Sequence, residues 1–151
     1  MGSSLVKIDV HLIFHIKTTS SRLEPEDLER IWLYIGGIIR NIGGTVIQIG
    51  GVSDHIHILS SLPKDMSIAE FVRTIKVDSS KWIKTIDRKY NSFEWQRGYG
   101  AFSVSPSIIP KVMEYIKNQQ EHHRFKTFAE EYRAFLNAYG IEYDERYVFN
   151  D

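Results

Sequence analysis

Apolar residues alternate with polar ones near the start of the chain and then recur at helical spacing. Five apolar residues from Val6 to Phe14 share one face of an extended segment, which predicts a strand over 5–16. After Pro25 the apolar residues repeat every three or four positions until Gly43–Gly44, so a helix follows. Two segments dense in β-branched residues, 45–52 and 55–62, are joined by a short turn and predict a hairpin.

The second half of the chain gives one more helix and one more strand, and then becomes mainly helical. Ser67 is placed to cap a helix whose apolar stripe reaches Ile86, and an aromatic-rich loop leads to a short strand ending near Val104. Two further helices are predicted, one over about 105–122 and one capped by Thr127. The order is the split βαββαβ plan, so we predict an α+β, ferredoxin-like antiparallel sheet with helices on one face plus C-terminal helices. The opposite face is expected to stay open for a ligand.

Length and composition fit one domain over 1–151, in which a C-terminal segment over 127–151 follows the helix at about 105–122. The 151 residues are 42% hydrophobic and include no cysteine, which excludes disulfides and thiolate metal sites. No apolar run has the length of a membrane span, so a cytoplasmic protein with no membrane partner is expected. The formal charge is zero, and therefore any contact with nucleic acid must use a local patch, such as the basic excess between Lys64 and Arg97.

Two histidines on the predicted third strand are the first candidates for chemistry. His55 and His57 are two residues apart, so both project from one face, about 7 Å apart along the strand, whereas Ile56 points into the core. Two imidazoles in this arrangement can bind one divalent cation and need a third ligand from elsewhere in the chain. Such a triplet also arises by chance on a half-buried strand. For His11 and His15 on the first strand, solvent exposure is the first expectation and a nucleic-acid contact the second.

A tyrosine and a glutamine on the predicted third helix are the second candidates. Tyr115 and Gln119 are four residues apart and share one helix face, although a half-buried tyrosine with a surface amide gives the same pattern. Basic residues on the second helix lie mostly off its apolar stripe, which is typical of a solvated face and less often of a phosphate-contacting one. These residues are Lys76, Lys81, Lys84 and Arg88, and Arg97 follows in the aromatic loop beside Trp95 and Tyr99.

Several segments, in order along nearly the whole chain, carry a resemblance to a known family. They are Gly51-Val52-Ser53-Asp54-His55-Ile56-His57-Ile58-Leu59, Lys76 with Ser79-Ser80-Lys81-Trp82, Trp95-Gln96-Arg97-Gly98-Tyr99, Phe102-Ser103-Val104-Ser105, Tyr115-Ile116-Lys117-Asn118-Gln119, Glu130-Glu131-Tyr132-Arg133 and Tyr143-Asp144-Glu145-Arg146-Tyr147. The pattern resembles the single-tyrosine transposases of the HUH superfamily, which move small insertion sequences as single-stranded DNA, and their relatives the REP-associated tyrosine transposases.

The resemblance implies a site and a reaction. His55 and His57 are the implied metal ligands, Gln119 completes the site for Mg²⁺ or Mn²⁺, and Tyr115 is the implied nucleophile. The implied enzyme is a homodimer that cleaves and rejoins single-stranded DNA at hairpin-flanked ends through a covalent 5′-phosphotyrosine, with no small-molecule cofactor. Whether the tyrosine helix serves its own subunit or the partner stays open. So does the general base, for which Asp54, Lys117 and a metal-bound water are candidates.

The implied DNA contacts use the open sheet face and the basic patch, with Trp95 and Tyr99 as base-stacking platforms. The contacting cations are Lys76, Lys81, Lys84, Arg88 and Arg97. Low net charge and few basic residues over 17–22 bear on DNA affinity more than on catalysis.

Two other functions are compatible with the same residues. One is an inactive or domesticated DNA-hairpin-binding protein of the same fold. The other is a metal-dependent phosphodiesterase or hydrolase for a small substrate, in which Tyr115 is only structural. A protein–DNA adduct that depends on Tyr115 separates the transposase from both.

Overall fold

A four-stranded antiparallel sheet forms the centre of the computed structural model, which describes residues 2–149. The strands are β1 (Asp9–His15), β2 (Val46–Val52), β3 (His55–Ser61) and β4 (Gly100–Val104). The helices are α1 (Leu28–Asn41), α2 (Ile68–Ile86), α3 (Ile109–Lys117), α4 (Gln119–His122), α5 (Phe128–Ala138) and α6 (Glu145–Val148). The predicted C-terminal segment, 127–151, ends outside the described residues. No helix in the described part of the chain combines the length and apolar character needed to cross a membrane.

The strand order is β2-β3-β1-β4, with every neighbouring pair antiparallel. β2 and β3 form the predicted hairpin, and β1 lies between β3 and β4. Across the β1–β3 ladder, His15 is opposite His55 and Ile13 is opposite His57. The predicted α+β, ferredoxin-like plan is therefore confirmed.

One sheet face packs on α1 and α2 and contains the larger core. Val10, Leu12 and Phe14 of β1 are buried there together with Ile56 and Ile58 of β3, because alternate side chains of a strand point to the same face. The predicted first strand is shorter than expected at its start. The first strand begins at Asp9, which pairs with Ser61 at the end of β3 and with Val104 at the end of β4. Both neighbouring strands therefore stop at this level, and residues 5–8 lie beyond them.

The other sheet face is closed, so the expectation of an open face is wrong. The C-terminal helices build two smaller cores over it, and Ile13 and Phe102 pack there against Tyr132 of α5. His11 and His15, expected at the surface, are buried with 2% and 6% of their surface exposed. Strand alternation placed both histidines away from the first core, but it carries no information about which helices cover the second face.

Helix α3 approaches the sheet closely at Gly50. A Cβ atom on Gly50 would lie 2.5 Å from the carbonyl oxygen of Ile116, so a larger residue would force the helix away from β2. Ile116 is fully buried and shares a core with Leu59 and Val104. This packing fixes the height of α3 above the sheet and holds the neighbouring Tyr115 over the histidine-bearing strand.

Candidate metal and tyrosine site

Strand β3 brings two imidazoles together on the second sheet face. His55 and His57 are fully buried, and their ring centroids lie 5.2 Å apart. The side chains share one face because they are two residues apart in an extended strand. The strand therefore delivers the histidine pair in the arrangement that the sequence predicted.

Each of these histidines is held through its Nδ1 atom, which leaves Nε2 facing the cluster. His55 Nδ1 lies 2.7 Å from Asp54 Oδ1, and His57 Nδ1 lies 2.8 Å from Nε2 of His11. A partner on one ring nitrogen fixes the ring orientation and decides which nitrogen is available for another ligand. Both histidines thus present Nε2 toward the same small volume.

The predicted helix over about 105–122 consists of a 3₁₀ turn at Pro106–Ile108 followed by α3 and α4, with a break at Asn118. Tyr115 is at the end of α3 and Gln119 at the start of α4. The Gln119 side-chain amide donates to the Tyr115 carbonyl oxygen at 3.4 Å, and Gln119 Oε1 lies 3.1 Å from His55 Nε2. Both residues therefore reach the histidine pair of their own chain.

Glu131 of α5 joins the separate parts of this cluster. Its Oε1 atom lies 2.9 Å from His57 Nε2 and 3.5 Å from His55 Nε2. Its Oε2 atom accepts hydrogen bonds from the Tyr115 hydroxyl and from the Gln119 amide. With 2% of its surface exposed, this carboxylate is compensated by hydrogen bonds rather than by water.

The electrostatics of the cluster follow from burial and from these bonds. Burial lowers the pKa of His57 to about 4, so its imidazole is neutral. Burial also opposes protonation of His55, but hydrogen bonds with Asp54 and Glu131 outweigh it and raise the His55 pKa to about 9. Burial alone would raise the pKa of Glu131, but hydrogen bonds from His123, His55 and His57 hold it well below its usual range.

The phenol of Tyr115 is held in its protonated form. Burial, reinforced by the hydrogen bond to the Glu131 carboxylate, raises its pKa above the ordinary value for tyrosine. The ring is only partly buried and packs edge-on against His122, with 4.4 Å between centroids. The hydroxyl thus points into the cluster while the ring borders the protein surface.

The donor set fits a divalent cation. One ligand atom from each of His55, His57 and Glu131 lies within 4.8 Å of the other two, and all three residues are buried. Two imidazole nitrogens and a carboxylate oxygen suit Mn²⁺ and related ions, and a carboxylate also suits Mg²⁺. Gln119 Oε1 is close enough to His55 Nε2 to add a further oxygen.

The predicted DNA-contacting cations are not next to this cluster. Lys81 and Lys84 are exposed on α2, and Arg88 follows that helix, so all three belong to the layer across the sheet from the histidine pair. Lys76 of α2 donates to the carbonyl oxygens of residues 96–98 at 2.6–3.3 Å and so supports the loop that carries Arg97.

The two aromatic candidates of that loop differ in exposure. Trp95 is buried in the larger core, where its Nε1 donates to Ser79 Oγ at 2.9 Å, so it is not a stacking platform on the surface. Tyr99 is exposed.

Three residues of the cluster were not predicted as site residues, namely Glu131, His123 and His11. A signal for Glu131 was present in the sequence, because it lies three residues after Phe128 and four before Phe135, on the apolar stripe of α5. A carboxylate at such a position needs a buried partner. His123 follows Gln119 by one helical turn, and its Nε2 lies 3.1 Å from Gln119 Oε1. No local pattern identified His11, since its partner is on another strand.

Comparison with protein families gives one match over most of the chain. Residues 4–119 match the family described as "Transposase IS200 like". The matched range contains the histidine pair, Tyr115 and Gln119, whereas Glu131 lies beyond its end.

Two individual transposases are similar to this chain in sequence. The transposase for insertion sequence element IS200 of Salmonella typhimurium is 30% identical over 96 residues, which cover 58% of this chain and 62% of that protein. The chain thus spans less than two thirds of that relative's length. The ISDra2 transposase TnpA of Deinococcus radiodurans is 22% identical over 120 residues, 76% of this chain and 86% of that protein.

Two solved structures share the fold. A protein from Deinococcus radiodurans R1, assigned as a transposase, superposes with a TM-score of 0.61 at 20% identity, covering 79% of this chain and 95% of its own. A REP-associated tyrosine transposase bound to a REP hairpin superposes with a TM-score of 0.60 at 14% identity, covering 82% and 73%. At these identities the two structures establish the fold alone.

Proposed function

Because this chain belongs to the IS200-like transposase family, we propose that it cleaves and rejoins single-stranded DNA at hairpin-flanked ends, through a covalent bond between Tyr115 and a 5′-phosphate. One observation carries the proposal. The Tyr115 hydroxyl and Nε2 of His57 contact the same buried carboxylate, that of Glu131. A nucleophile and a metal-ligand set therefore meet in one cluster.

The proposed reaction exchanges one phosphate ester for another. The Tyr115 oxygen forms a bond to the phosphorus of a phosphodiester, and the bond from phosphorus to the 3′ oxygen breaks. The phenolic proton leaves, and the departing 3′ oxygen gains a proton to become a hydroxyl. A 3′-hydroxyl that attacks the phosphotyrosine reverses these changes, so cleavage and joining need no external energy source.

The chain's own residues arrange the proton and the nucleophile. Glu131 Oε2 already accepts the hydrogen bond of the Tyr115 hydroxyl, which makes it the nearest acceptor for the phenolic proton. Gln119 donates to the same oxygen at 3.2 Å and helps to orient it. Two of the side chains considered as a general base have other partners, since Asp54 contacts His55 and Lys117 pairs with Glu114 at 3.8 Å. A metal-bound water stays the third candidate.

We assign the cation site to His55, His57 and Glu131, with Gln119 as an additional oxygen ligand, and Mg²⁺ or Mn²⁺ as the ion. A bound divalent cation supplies positive charge that polarises a phosphate oxygen and stabilises the leaving oxygen. The neutral imidazole of His57 is already in the state that a metal ligand needs.

The proposed partner is a single-stranded DNA hairpin. The relative bound to a REP hairpin has the same fold, and the exposed cations Lys81, Lys84, Arg88 and Arg97 offer phosphate contacts outside the cluster. Lys76 supports Arg97 through the loop carbonyls. The predicted homodimer stays a prediction.

Covalent trapping tests this function. The full chain is incubated with Mn²⁺ or Mg²⁺ and a pool of single strands that carry an imperfect hairpin with randomised flanks, and the products are separated on a denaturing gel. The label belongs at the 3′ end, because a 5′-phosphotyrosine retains the 3′ part of the strand. We expect an adduct with the wild-type chain, none with Tyr115→Phe, and a normal adduct with Tyr147→Phe, which removes an exposed hydroxyl on α6.

The other outcomes identify the two alternative functions. Retention of the hairpin DNA with no adduct under either metal identifies an inactive hairpin-binding protein of this fold. Turnover of a small phosphodiester such as bis-p-nitrophenyl phosphate that survives Tyr115→Phe identifies a metal-dependent phosphodiesterase. Either result rejects the proposed transposase reaction.

A further inference from the structure

A cleft of about 760 Å³ opens beside the buried cluster, between the loop before α1, the β2–β3 turn and the connection from α4 to α5. Two residues of its wall touch a proposed metal ligand. Asp54 contacts His55 Nδ1 at 2.7 Å, and the His123 ring centroid lies 4.5 Å from that of His55. A second cleft of about 490 Å³ adjoins it and shares Arg22 and Asp54. A single strand of DNA that approached the cluster from the side of Asp54 and His123 would pass through these two clefts.

The first cleft, named here the entrance cleft, is lined by three cations, Arg22, Arg124 and Lys126. The ion pair between Arg22 and Asp54 is long, with 3.9 Å between Arg22 Nη1 and Asp54 Oδ2. Arg124 pairs with Glu121 at the protein surface. Lys126 is exposed and has no carboxylate within ion-pair distance among the described residues. Cations arranged around a concave surface are suited to successive phosphates of a nucleic-acid backbone.

An aromatic side chain stands among these cations. Phe125 also lines the entrance cleft and is 82% exposed, and the Arg124 guanidinium lies 5.7 Å from its ring centroid. A phenyl ring this exposed contributes little to the core. Flanked by Arg124 and Lys126, it is suited to stack on a base while its neighbours hold the adjoining phosphates.

We propose that the entrance cleft binds the unpaired nucleotides next to the scissile phosphate, with Phe125 stacking on a base and Arg22, Arg124 and Lys126 contacting phosphates. The inference rests on the proposed function, because it takes its substrate class, single-stranded DNA, from there. It adds a subsite on the cluster side of the sheet, whereas Lys76, Lys81 and Lys84, predicted from the sequence as DNA contacts, lie on α2 across the sheet. The proposed stacking ring and two of the three proposed phosphate contacts come from residues 124–126, beyond the family-matched range.

Binding of single-stranded DNA without chemistry gives the first test. The probe is fluorescein-labelled oligothymidylate, which has no hairpin, and fluorescence anisotropy is measured over a range of salt concentrations in EDTA. We expect Phe125→Ala to weaken binding about tenfold because one base loses its stacking partner. The salt slope is the steepness with which the logarithm of the binding constant falls with the logarithm of the salt concentration. For the double variant Arg124→Gln/Lys126→Gln, this slope should become smaller by about 0.7 for each phosphate that the protein no longer neutralises. Tyr147→Ala removes a similarly exposed ring that lines neither of the two clefts, and this variant should bind as the wild type does.

Thiol cross-linking gives a second test that does not depend on affinity. The chain contains no cysteine, so Lys126→Cys introduces a unique thiol at the entrance cleft. Leu33→Cys is the control, at an exposed position on α1 in the layer across the sheet. An oligothymidylate with a disulfide-activated tether should cross-link to Lys126→Cys several times faster than to Leu33→Cys.

Failure of this inference is distinguishable from failure of the proposed function. Wild-type affinity and salt slope in all cleft variants, or equal cross-linking at both cysteines, overturns the entrance cleft even if the Tyr115 adduct forms. Loss of oligothymidylate binding in the cleft variants, in a chain that forms no adduct, supports the cleft and rejects the transposase reaction. Thermal unfolding of each variant establishes that the exposed substitutions leave the fold intact.

Discussion

At the scale of single residues, each strand histidine is oriented by a partner on its Nδ1 atom. The partner of His55 is a carboxylate, Asp54, and the partner of His57 is another imidazole, His11. The two ligands therefore differ in charge before any cation binds. His55 carries a proton because its hydrogen bonds with Asp54 and Glu131 outweigh its burial. His57 stays neutral because burial, reinforced by the nearby positive charge of His55, opposes its protonation. Both the orientation and the charge of these groups have consequences for metal binding.

Replacing His11 tests the orientation of His57. In His11→Phe the Nδ1 atom of His57 loses its buried partner, and we expect Mn²⁺ affinity to fall about 10- to 100-fold, as for other residues that orient metal ligands. His11→Gln retains an acceptor and should recover most of the affinity. Isothermal titration calorimetry measures both variants. Equal Mn²⁺ affinity in His11→Phe and the wild type would show that His11 does not orient the ligand.

The high pKa of His55 predicts that metal binding depends on pH. A ligand nitrogen must be unprotonated, so a cation has to displace the proton of His55 at any pH below about 9. We expect Mn²⁺ affinity to rise about tenfold per pH unit between pH 6.5 and 8.5, and to level off as the pH passes the His55 pKa. The neutral His57 adds no dependence in this range. Calorimetry at three pH values measures the slope.

Asp54→Asn is the matched variant for this pH dependence. It removes the carboxylate that favours protonated His55, so the rise in Mn²⁺ affinity should move to lower pH. An affinity that stays flat from pH 6.5 to 8.5 in the wild type would contradict the charge state assigned to His55.

At the scale of elements, α5 is the helix that completes the proposed metal-ligand set, because it carries Glu131. Thr127 caps it by accepting from the Glu130 backbone N–H, and the Glu130 side chain accepts from the Thr127 backbone N–H in return. Glu131 is the residue after Glu130 and lies at the start of α5, so the position of its carboxylate depends on an ordered helix start. The Thr127 side chain is exposed, so its removal leaves no buried cavity.

Two cap variants separate local from global effects. Thr127→Ala should cost about 1 kcal/mol of unfolding free energy and should also lower Mn²⁺ affinity several-fold, because the start of α5 frays near Glu131. Ser67→Ala removes the N-cap of α2, where Ser67 accepts from the Glu70 backbone N–H, at a similar cost. Since α2 lies across the sheet, its Mn²⁺ affinity should remain that of the wild type. Denaturant unfolding and calorimetry give the two quantities, and an equal loss of affinity in both variants would remove the assigned role of α5.

At the scale of the whole molecule, the sheet separates two layers with different properties. One layer holds the larger core and the basic surface of α2, and the other holds the cluster of histidines, Tyr115 and Glu131. A single chain brings the tyrosine to its own histidines, with ring centroids of Tyr115 and His57 5.7 Å apart. The geometry therefore favours a site completed within one subunit.

Mixing two inactive variants tests this arrangement. Tyr115→Phe lacks the proposed nucleophile and His57→Gln lacks a proposed metal ligand, so neither should form a DNA adduct alone. If each site uses the tyrosine of its own chain, a mixture of the two should also form no adduct. Recovery to about a quarter of the wild-type yield, as expected for random pairing of two subunits, would show that the tyrosine helix moves to a partner. The same measurement tests the predicted homodimer, since recovery requires association.

The sequence by itself determined the order of elements, the face of β3 that carries His55 and His57, and the spacing of Tyr115 and Gln119. These properties depend on the periods of strands and helices, which are local and can be read along the chain. The resemblance to the single-tyrosine transposases, confirmed by the family match, also came from local motifs. Even the first core followed from alternation, because its residues recur at regular intervals on β1 and β3.

Only the tertiary structure decided what covers the second sheet face and which side chains meet there. Glu131 lies 74 residues from His57, with which it shares a hydrogen bond, and His11 lies 46 residues from the same ring. Contacts at such separations depend on how helices pack on the sheet, and no local period encodes them. The burial that keeps His57 neutral and the hydrogen bonds that protonate His55 are properties of the same packing. The chemistry of the cluster therefore became visible only with the fold.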